Sequence, residues 1–384
     1  MTNSLVQSKL PHVGTSIFTE MSGLAQKTGA INLSQGFPEF SAPRLLKEAV
    51  NQAVEQDHNQ YSPSSGQADL LTQIERLVEK QYATNLNSET NITVTSGATE
   101  ALFVAIQAIV CPGDEVIIFD PAYDSYEPAV NLAGGKTVHI PLQAPNYQID
   151  WNLVKSKINK NTKAIVINTP HNPTGSLLQR HDLQTLENIV LENQLYLISD
   201  EVYEFITFDG ERHESVLRYP KLFERSFVIS SFGKTFHCTG WKMGYCVAPD
   251  NLSIEFRKIH QYVTFCSPTP FQLGIAKMLM EDPQHISALS PFYQQKRDIL
   301  VEALSDSRFK IINPKGTYFL LLDYSEISDL EDREFCYWLN NEVGVAAIPL
   351  SPFYKEDPKS KVIRLCFAKN ENTLKKAAEI LCKL

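Results

Sequence analysis

The stretch LYLISDEVY, residues 195–203, is an apolar run of strand length that stops abruptly on an acidic residue. Two runs of the same build lie on either side of it in the chain, KAIVINTPHNPTG at 163–175 and SFVISSFGK at 226–234. Each is rich in Val and Ile with little polar alternation, as expected of a strand covered on both faces. Working outward, similar runs occur at 92–95, 116–119, 137–140 and 245–248, and helical patterns lie between them at 98–110, 123–133, 151–158 and 180–193. In the first of these helices Ala101, Leu102, Ala105, Ile106 and Ile109 form one apolar stripe. Strand and helix alternating at this spacing predict an α/β layered domain with a mostly parallel sheet.

After residue 250 the texture changes. Helices are expected at 252–263, 270–281 and 285–305, followed by a strand TYFLLLDY (317–324) and a helix 331–342. A short strand VAAIPL (345–350), a strand KVIRLCFA (361–368) and a final helix 371–382 complete a compact α+β unit. The expected organisation is a large domain at 41–284 and a small domain combining 1–40 with 285–384. A chain of 384 residues buries roughly three quarters of its unfolded surface, so neither disulfides nor a metal is needed for a core.

Composition narrows the function classes. With 35 Lys+Arg against 44 Asp+Glu the net charge is −9, which argues against nucleic acid or an anionic membrane as partner. The most apolar stretch, ALFVAIQAIV at 101–110, is about half a membrane span. No signal-peptide pattern opens the chain. The seven cysteines include no C-x-x-C pair, so reduced thiols in a cytoplasmic protein are expected.

In an open α/β sheet, ligands bind beyond the carboxyl ends of the strands. Those ends read SGATE (96–100), DPAY (120–123), NTPHNPTG (168–175), SDEVY (199–203) and SSFGK (230–234). The turn at Ser96 and Gly97 leads into a helix whose free N–H groups at Ala98 and Thr99 suit an anion. The same turn equally suits a helix cap by Ser96 or Thr99. Asp200 follows a run that must be buried, so its carboxylate calls for a cationic partner, unless it merely caps the next turn. Tyr203 follows three residues on. Lys234, at another strand end, is either a desolvated nucleophile able to form a Schiff base or a snorkelling surface lysine. Ser230, Ser231 and Gly233 before it, with Thr239, Gly240, Trp241 and Lys242 after it, offer a second anion cradle.

Competing motifs fail on particular positions. FGKT ends like a P-loop, but the required glycine is replaced by Val228, and no strand is expected to run directly into a helix at Lys234. There is no G-x-G-x-x-G, no H-E-x-x-H and no G-x-S-x-G, so a nucleotide, metal or serine-hydrolase site has no support and no metal is expected. His171 and His237 lie inside motifs and are read as local hydrogen-bonding residues.

Taken in order, SQGFPEF (34–40), FDPAYDSY (119–126), NTPHNPTG, SDEVY, SSFGKTFHCTGWKMG (230–244) and VIRLCFA (362–368) resemble the pyridoxal-phosphate-dependent class I aminotransferases. The resemblance covers essentially the whole chain and implies the aspartate aminotransferase-like fold, fold type I. IFTEM (17–21), NLSQGFP (32–38) and the P-x-Y-x-x-Y at 121–126 are similar to the methionine and kynurenine aminotransferase group. The resemblance implies that Lys234 binds pyridoxal 5'-phosphate covalently and then serves as acid and base. Asp200 would pair with the protonated pyridine nitrogen, Asn172 and Tyr203 would hydrogen-bond the phenolic oxygen, and Tyr123 would stack on the ring. The N–H groups of Ala98 and Thr99, with Ser231 and Lys242, would hold the phosphate. Arg364 and the Gly36 N–H would take the substrate carboxylate. Tyr61 would reach the phosphate of the neighbouring subunit of a homodimer. Two departures from the family pattern are His237, where a small residue is usual, and Lys242, where arginine is usual.

The implied activity is ping-pong transamination between an amino acid and a 2-oxo acid. No residue stands where a second substrate carboxylate would bind, and Phe18, Phe37 and Tyr61 are aromatic candidates for an apolar side-chain pocket that favours methionine or aromatic amino acids, kynurenine among them. A cysteine-conjugate β-lyase on the same scaffold is the alternative. A P-loop NTPase or a non-catalytic cofactor-binding regulator is more remote, the second because such regulators carry an added DNA-binding domain.

Overall fold

The computed structural model describes residues 7–384. A seven-stranded sheet runs in the order Ile92–Thr95, Gly244–Val247, Ser226–Ser231, Tyr196–Asp200, Thr162–Asn168, Glu115–Asp120, Lys136–Pro141. Gly244–Val247 is antiparallel to both neighbours and every other pairing is parallel. The two faces of this sheet are covered separately. Ile117, Phe119, Ile165, Ile167, Leu197 and Val228 pack into one core, and Val116, Ile118, Val166, Ile198, Phe227 and Ile229 into the other. Both sets are apolar because helices cover both sides, which is why these strands read as continuous hydrophobic runs.

Helix Gly97–Ile109 buries Ala101, Leu102, Ala105, Ile106 and Ile109 against one face, the stripe expected from the sequence. Strand register places the site residues side by side: Asn168 pairs with Asp200, and Asp200 with Ile229. Short connections then deliver the following residues to one edge of the sheet.

A second, antiparallel sheet has the order Ile348–Pro349, Val362–Cys366, Phe319–Asp323, Lys310–Ile312, with Leu321 opposite Arg364. The N-terminal segment joins this region, since Ile31–Asn32 pairs in parallel with Val345–Ala346. Ile17, Met21 and Leu33 share its core with Leu320, Leu322, Ile363 and Leu365.

Several elements differ from the sequence reading. The run 345–350 is two short strands, because Ala347 separates a pair with the N-terminal segment from a pair with Val362–Cys366. The helix expected at 123–133 begins at Tyr126, leaving Tyr123 on a loop beyond the strand end. Strand Ser226–Ser231 does run directly into a one-turn helix, Phe232–Thr235, which carries Lys234. The P-loop remains excluded by Val228, not by the lack of a helix. Helices Ile17–Thr28, Arg44–Glu55 and Ala68–Tyr82 had no counterpart in the reading. The last buries Leu70, Leu71, Ile74, Leu77 and Val78, a helical spacing that was present to be seen. Among the described residues no helix is long and apolar enough to cross a membrane.

Candidate active site

A cavity of about 270 Å³ opens where the strand ends of the large sheet face the small sheet. Its floor begins at the turn from Ile92–Thr95 into Gly97–Ile109. Gly97 has φ +75, and a Cβ there would come 3.3 Å from the Lys242 Cε, so glycine permits both the turn and the close approach. The Ser96 side chain makes no capping bond. The first N–H groups of this helix therefore lack a side-chain cap from Ser96, and Ala98 and Thr99 line the cavity. Lys242, itself in the left-handed region, donates to Thr99 Oγ1 at 3.2 Å, and Ser231 and Thr239 complete this end. Of the two readings of this turn, the anion cradle has the better geometry.

The turn is braced from behind by a group that sequence reasoning missed. Buried Glu100 accepts from the Ser96 N–H, from Thr264 Oγ1 and, at 2.6 Å, from His260 Nδ1. His260 Nε2 lies 2.8 Å from the Ser64 carbonyl oxygen. His260 thus ties the Glu100 carboxyl to the Ser64 carbonyl and fixes the turn from behind.

Asp200 is buried at the end of its strand. Tyr126 Oη donates to Asp200 Oδ2 at 2.7 Å, and the Val202 N–H to Oδ1 at 3.3 Å. It thus caps the following turn with one oxygen while the residue lines the cavity. Burial pushes this carboxyl up to about 6, opposed by the Tyr126 hydroxyl, the Val202 N–H and the charge of Lys234.

Lys234 is not a snorkelling surface residue. Its Nζ donates to Tyr318 Oη at 3.0 Å and lies 5.5 Å from the ring centres of both Tyr203 and Tyr318. Burial pushes the amine down to about 8. Lys242 and Arg364 act in the same direction, and Cys366 and Asp200 against it. Tyr203 is buried and stands edge-on to Tyr318 at 5.2 Å, its phenol pushed up by burial.

Arg364 is only 1% exposed. Its Nη1 donates to Asn172 Oδ1 at 2.9 Å and Nη2 to the Ser34 carbonyl at 3.0 Å, with the guanidinium 3.9 Å from the Phe319 ring centre. Nε is buried without a partner. Burial holds the group down to about 10. Asn172 is fixed in turn by its N–H, which donates to Asn168 Oδ1 at 2.7 Å. Gly36 lines the same end, and a Cβ there would meet the Phe319 ring at 2.7 Å.

The cavity thus gathers Lys234, Asp200, Asn172, Tyr203, Tyr123, Ala98, Thr99, Ser231, Lys242, Gly36, Arg364 and Phe18. Two of the aromatic candidates, Tyr61 and Phe37, do not line the cavity of their own chain. Tyr61 is 84% exposed and packs edge-on against Phe265 at 5.3 Å, outside this cavity. Phe37 lies under the Lys369 ammonium at 4.1 Å and also does not line it. Phe37 stands beside Gly36 in the motif at 34–40, but successive side chains of an extended segment point in different directions, and Tyr61 is expected at a neighbouring subunit's site rather than at its own. His171 bonds Thr174 Oγ1 at 2.7 Å and His237 bonds Tyr293 Oη at 3.0 Å, each outside the cavity as expected. Tyr126, Tyr318, Asn168 and Phe319 were not singled out. The tyrosine of the P-x-Y-x-x-Y motif at 126 was the one available signal.

The donor set fits a phosphorylated, cationic, aldehyde-bearing ring: an uncapped helix N-terminus with a lysine, a buried carboxylate, and an amine held near neutrality. The sequence model of the family described as aminotransferase class I and II matches residues 28–381. The chain belongs to this family. It is 52% identical over 386 residues to the methionine aminotransferase of Escherichia coli strain K12, covering 100% of both chains. To kynurenine–oxoglutarate transaminase 3 of Homo sapiens it is 36% identical over 403 residues, covering 97% of this chain and 89% of that one. A solved Escherichia coli structure assigned a methionine aminotransferase function superposes with a TM-score of 0.97 at 52% identity, covering 99% and 100%. An aspartate aminotransferase of Thermus thermophilus gives 0.90 at 28% identity, covering 98% and 99%. The aminotransferase has the aspartate aminotransferase-like fold, acts on amino acids and 2-oxo acids, and uses pyridoxal 5'-phosphate.

Proposed function

We propose that this aminotransferase takes amino groups from amino acids with apolar side chains, methionine and the aromatic ones including kynurenine, and passes them to a 2-oxo acid in ping-pong fashion. The observation that carries this reading is the cavity wall beside Arg364. Phe18 and Phe319 flank the guanidinium at 5.1 and 3.9 Å, and Leu102 and Val202 add apolar surface. Lys234, Lys242 and Arg364 are the cations lining the cavity among the described residues, and each has a task. None remains for a second carboxylate, and burying one unpaired is costly. Similarity to a methionine aminotransferase and to a kynurenine transaminase supports the same class.

Each residue then has a proposed part. Arg364 takes the α-carboxylate, its unpartnered Nε and planar fork suiting a bidentate grip. Ala98, Thr99, Ser231 and Lys242 hold the phosphate. Asp200 faces the pyridine nitrogen, Asn172 and Tyr203 the phenolic oxygen, and Tyr123 the ring face. When bound, pyridoxal phosphate supplies an aldehyde for the incoming amine and an electron sink for the pair left at Cα. Lys234, an amine brought to about 8, would take the proton from the substrate Cα and deliver it to the carbon that had been the cofactor's aldehyde. We further infer a homodimer in which Tyr61 serves the neighbouring site. Its exposure, with that of Phe265 packed against it and of Tyr262 and Val263 beside Phe265 in the chain, supports an interface there. Seven unpaired cysteines support a cytoplasmic setting.

The test is a donor panel on protein loaded with pyridoxal phosphate. Methionine and aromatic amino acids should yield their 2-oxo acids at kcat/KM well above aspartate and glutamate. Preference for the dicarboxylic donors refutes the specificity, and pyruvate with ammonia from cysteine conjugates in place of oxo acids would mark the β-lyase. A loaded protein whose visible band is not changed by borohydride, or whose Lys234→Ala variant keeps that band unchanged, refutes the part given to Lys234.

A further inference from the structure

The phenol of Tyr318 joins two parts of the cavity that the chain builds separately. Lys234 Nζ donates to its oxygen at 3.0 Å, and its own hydroxyl donates to the Gly36 carbonyl at 2.8 Å. The directions are not interchangeable. A carbonyl oxygen only accepts, so the single hydroxyl proton belongs to Gly36, and the phenol offers Lys234 nothing but a lone pair. Two residues before Gly36, the Ser34 carbonyl takes Arg364 Nη2 at 3.0 Å. One hydroxyl therefore links the amine on the large sheet to the segment gripped by the arginine on the small one. The ring itself has no freedom. It is fully buried, with Phe319 at 4.9 Å, Tyr203 at 5.2 Å and Tyr293 at 5.6 Å between ring centres.

We propose that Tyr318 is a positioning residue for proton transfer, which orients the free amine of Lys234 toward the substrate Cα when residues 34–36 are docked on Arg364. One N–H of the amine is committed to the phenol oxygen, which selects one side-chain rotamer and leaves the lone pair to face the cavity. Docking of the carboxylate-binding segment and orientation of the base then become one event. This inference rests on the reading of Lys234 as proton carrier. The other titratable groups around the amine are Asp200 and Tyr203 from the neighbouring strand end, Lys242 beside the phosphate cradle, and Arg364 and Cys366 from the small sheet.

Tyr318→Phe removes the oxygen and keeps the ring. In cofactor-free protein, the rate of pyridoxal phosphate uptake against pH reports titration of the amine. An oxygen that only accepts favours the ammonium form, so its loss should move the midpoint to lower pH by about half to one unit. In loaded enzyme, kcat should fall about tenfold while KM for the amino acid changes less, and the isotope effect with α-deuterated substrate should rise as proton transfer becomes slower. Tyr293→Phe is the control, since it deletes a neighbouring buried hydroxyl bonded to His237 and should move neither midpoint nor isotope effect. An unmoved midpoint with an unchanged isotope effect in folded Tyr318→Phe overturns the proposal. If that variant does not fold, 3-fluorotyrosine at 318 weakens the acceptor without deleting it and should shift the midpoint the same way; no shift overturns it equally. A wild-type band resistant to borohydride would instead strike at Lys234 itself, so the two failures are distinguishable.

Discussion

Tyr126→Phe deletes one oxygen atom and should weaken cofactor binding by an amount that depends on pH. Tyr126 Oη lies 2.7 Å from Asp200 Oδ2, and both residues are 4% exposed, so the bond is made in a largely desolvated setting. Burial already pushes Asp200 up to about 6, and the Tyr126 hydroxyl is the strongest influence holding it down. A hydrogen bond to a charged acceptor is worth about 1.5–3 kcal/mol, so its loss raises the carboxyl by about one to two further units. Only ionised Asp200 pairs with a protonated pyridine nitrogen, so affinity falls by the ratio of ionised fractions. That ratio is about two- to tenfold near pH 7 and about five- to fiftyfold near pH 6. By about pH 9 both proteins are ionised at this position and their affinities converge. The assay is a titration of cofactor-free protein with pyridoxal phosphate, followed by absorbance, for wild type and variant side by side at each pH. Taking the ratio of the two Kd values cancels the titrations of the phosphate and of Lys234, which both proteins share. A ratio that stays constant from about pH 6 to about pH 9, or a variant as tight as wild type at the acid end, refutes the reasoning.

Three further outcomes follow from the same geometry. Arg364→Ala should raise KM for amino acids by about a hundredfold or more through loss of a bidentate charged contact, while the cofactor band persists; loss of the band would contradict the part given to Arg364. Lys234→Met should stabilise the cofactor-free protein. The folded amine is held down to about 8 against the usual 10.5, so the unfolded chain binds more protons and the wild type is penalised by about 3 kcal/mol below about pH 8. That penalty fades as pH rises to about 10.5, so urea midpoints of the two proteins should differ at neutral pH and converge in alkali. His260→Gln should cost about 1–3 kcal/mol, because it breaks the buried contacts to Glu100 and to the Ser64 carbonyl, and it should lower the urea midpoint with the slope unchanged.

What could be seen in the amino acids depended on whether a residue's neighbours in sequence are also its neighbours in space. Asp200, Asn172 and Lys234 follow strands buried on both faces, so a polar residue at the end of an apolar run marked each of them. Parallel register then aligned those ends without further information. Tyr126 and Tyr318 carry no such mark. Tyr126 opens a helix, and its partner Asp200 is 74 positions away. Tyr318 sits in a run that reads as an ordinary strand, 84 positions from Lys234 and 282 from Gly36. Their meaning arises only when two sheets meet. Phe37 shows the converse, since standing next to Gly36 in the motif at 34–40 did not bring it into the cavity.

Bulk charge and local charge also part company here. The chain carries −9 overall, yet its cavity holds Lys234, Lys242 and Arg364 around one buried carboxylate. Desolvation presses every one of these groups toward neutrality: Asp200 up to about 6, Lys234 down to about 8, Arg364 down to about 10, and Lys242 also down. Small anions and a cation are the partners that would offset this desolvation. On the proposed assignment, phosphate would relieve Lys242 and the helix N-terminus, a substrate carboxylate Arg364, and a pyridinium Asp200. Lys234 alone gains no counter-ion from this set, and a base that must give and take a proton near neutral pH is better without one. The two tyrosines missed in the sequence divide the remaining work: Tyr126 keeps the carboxylate ionised, and Tyr318 holds the amine in place without supplying it a charge.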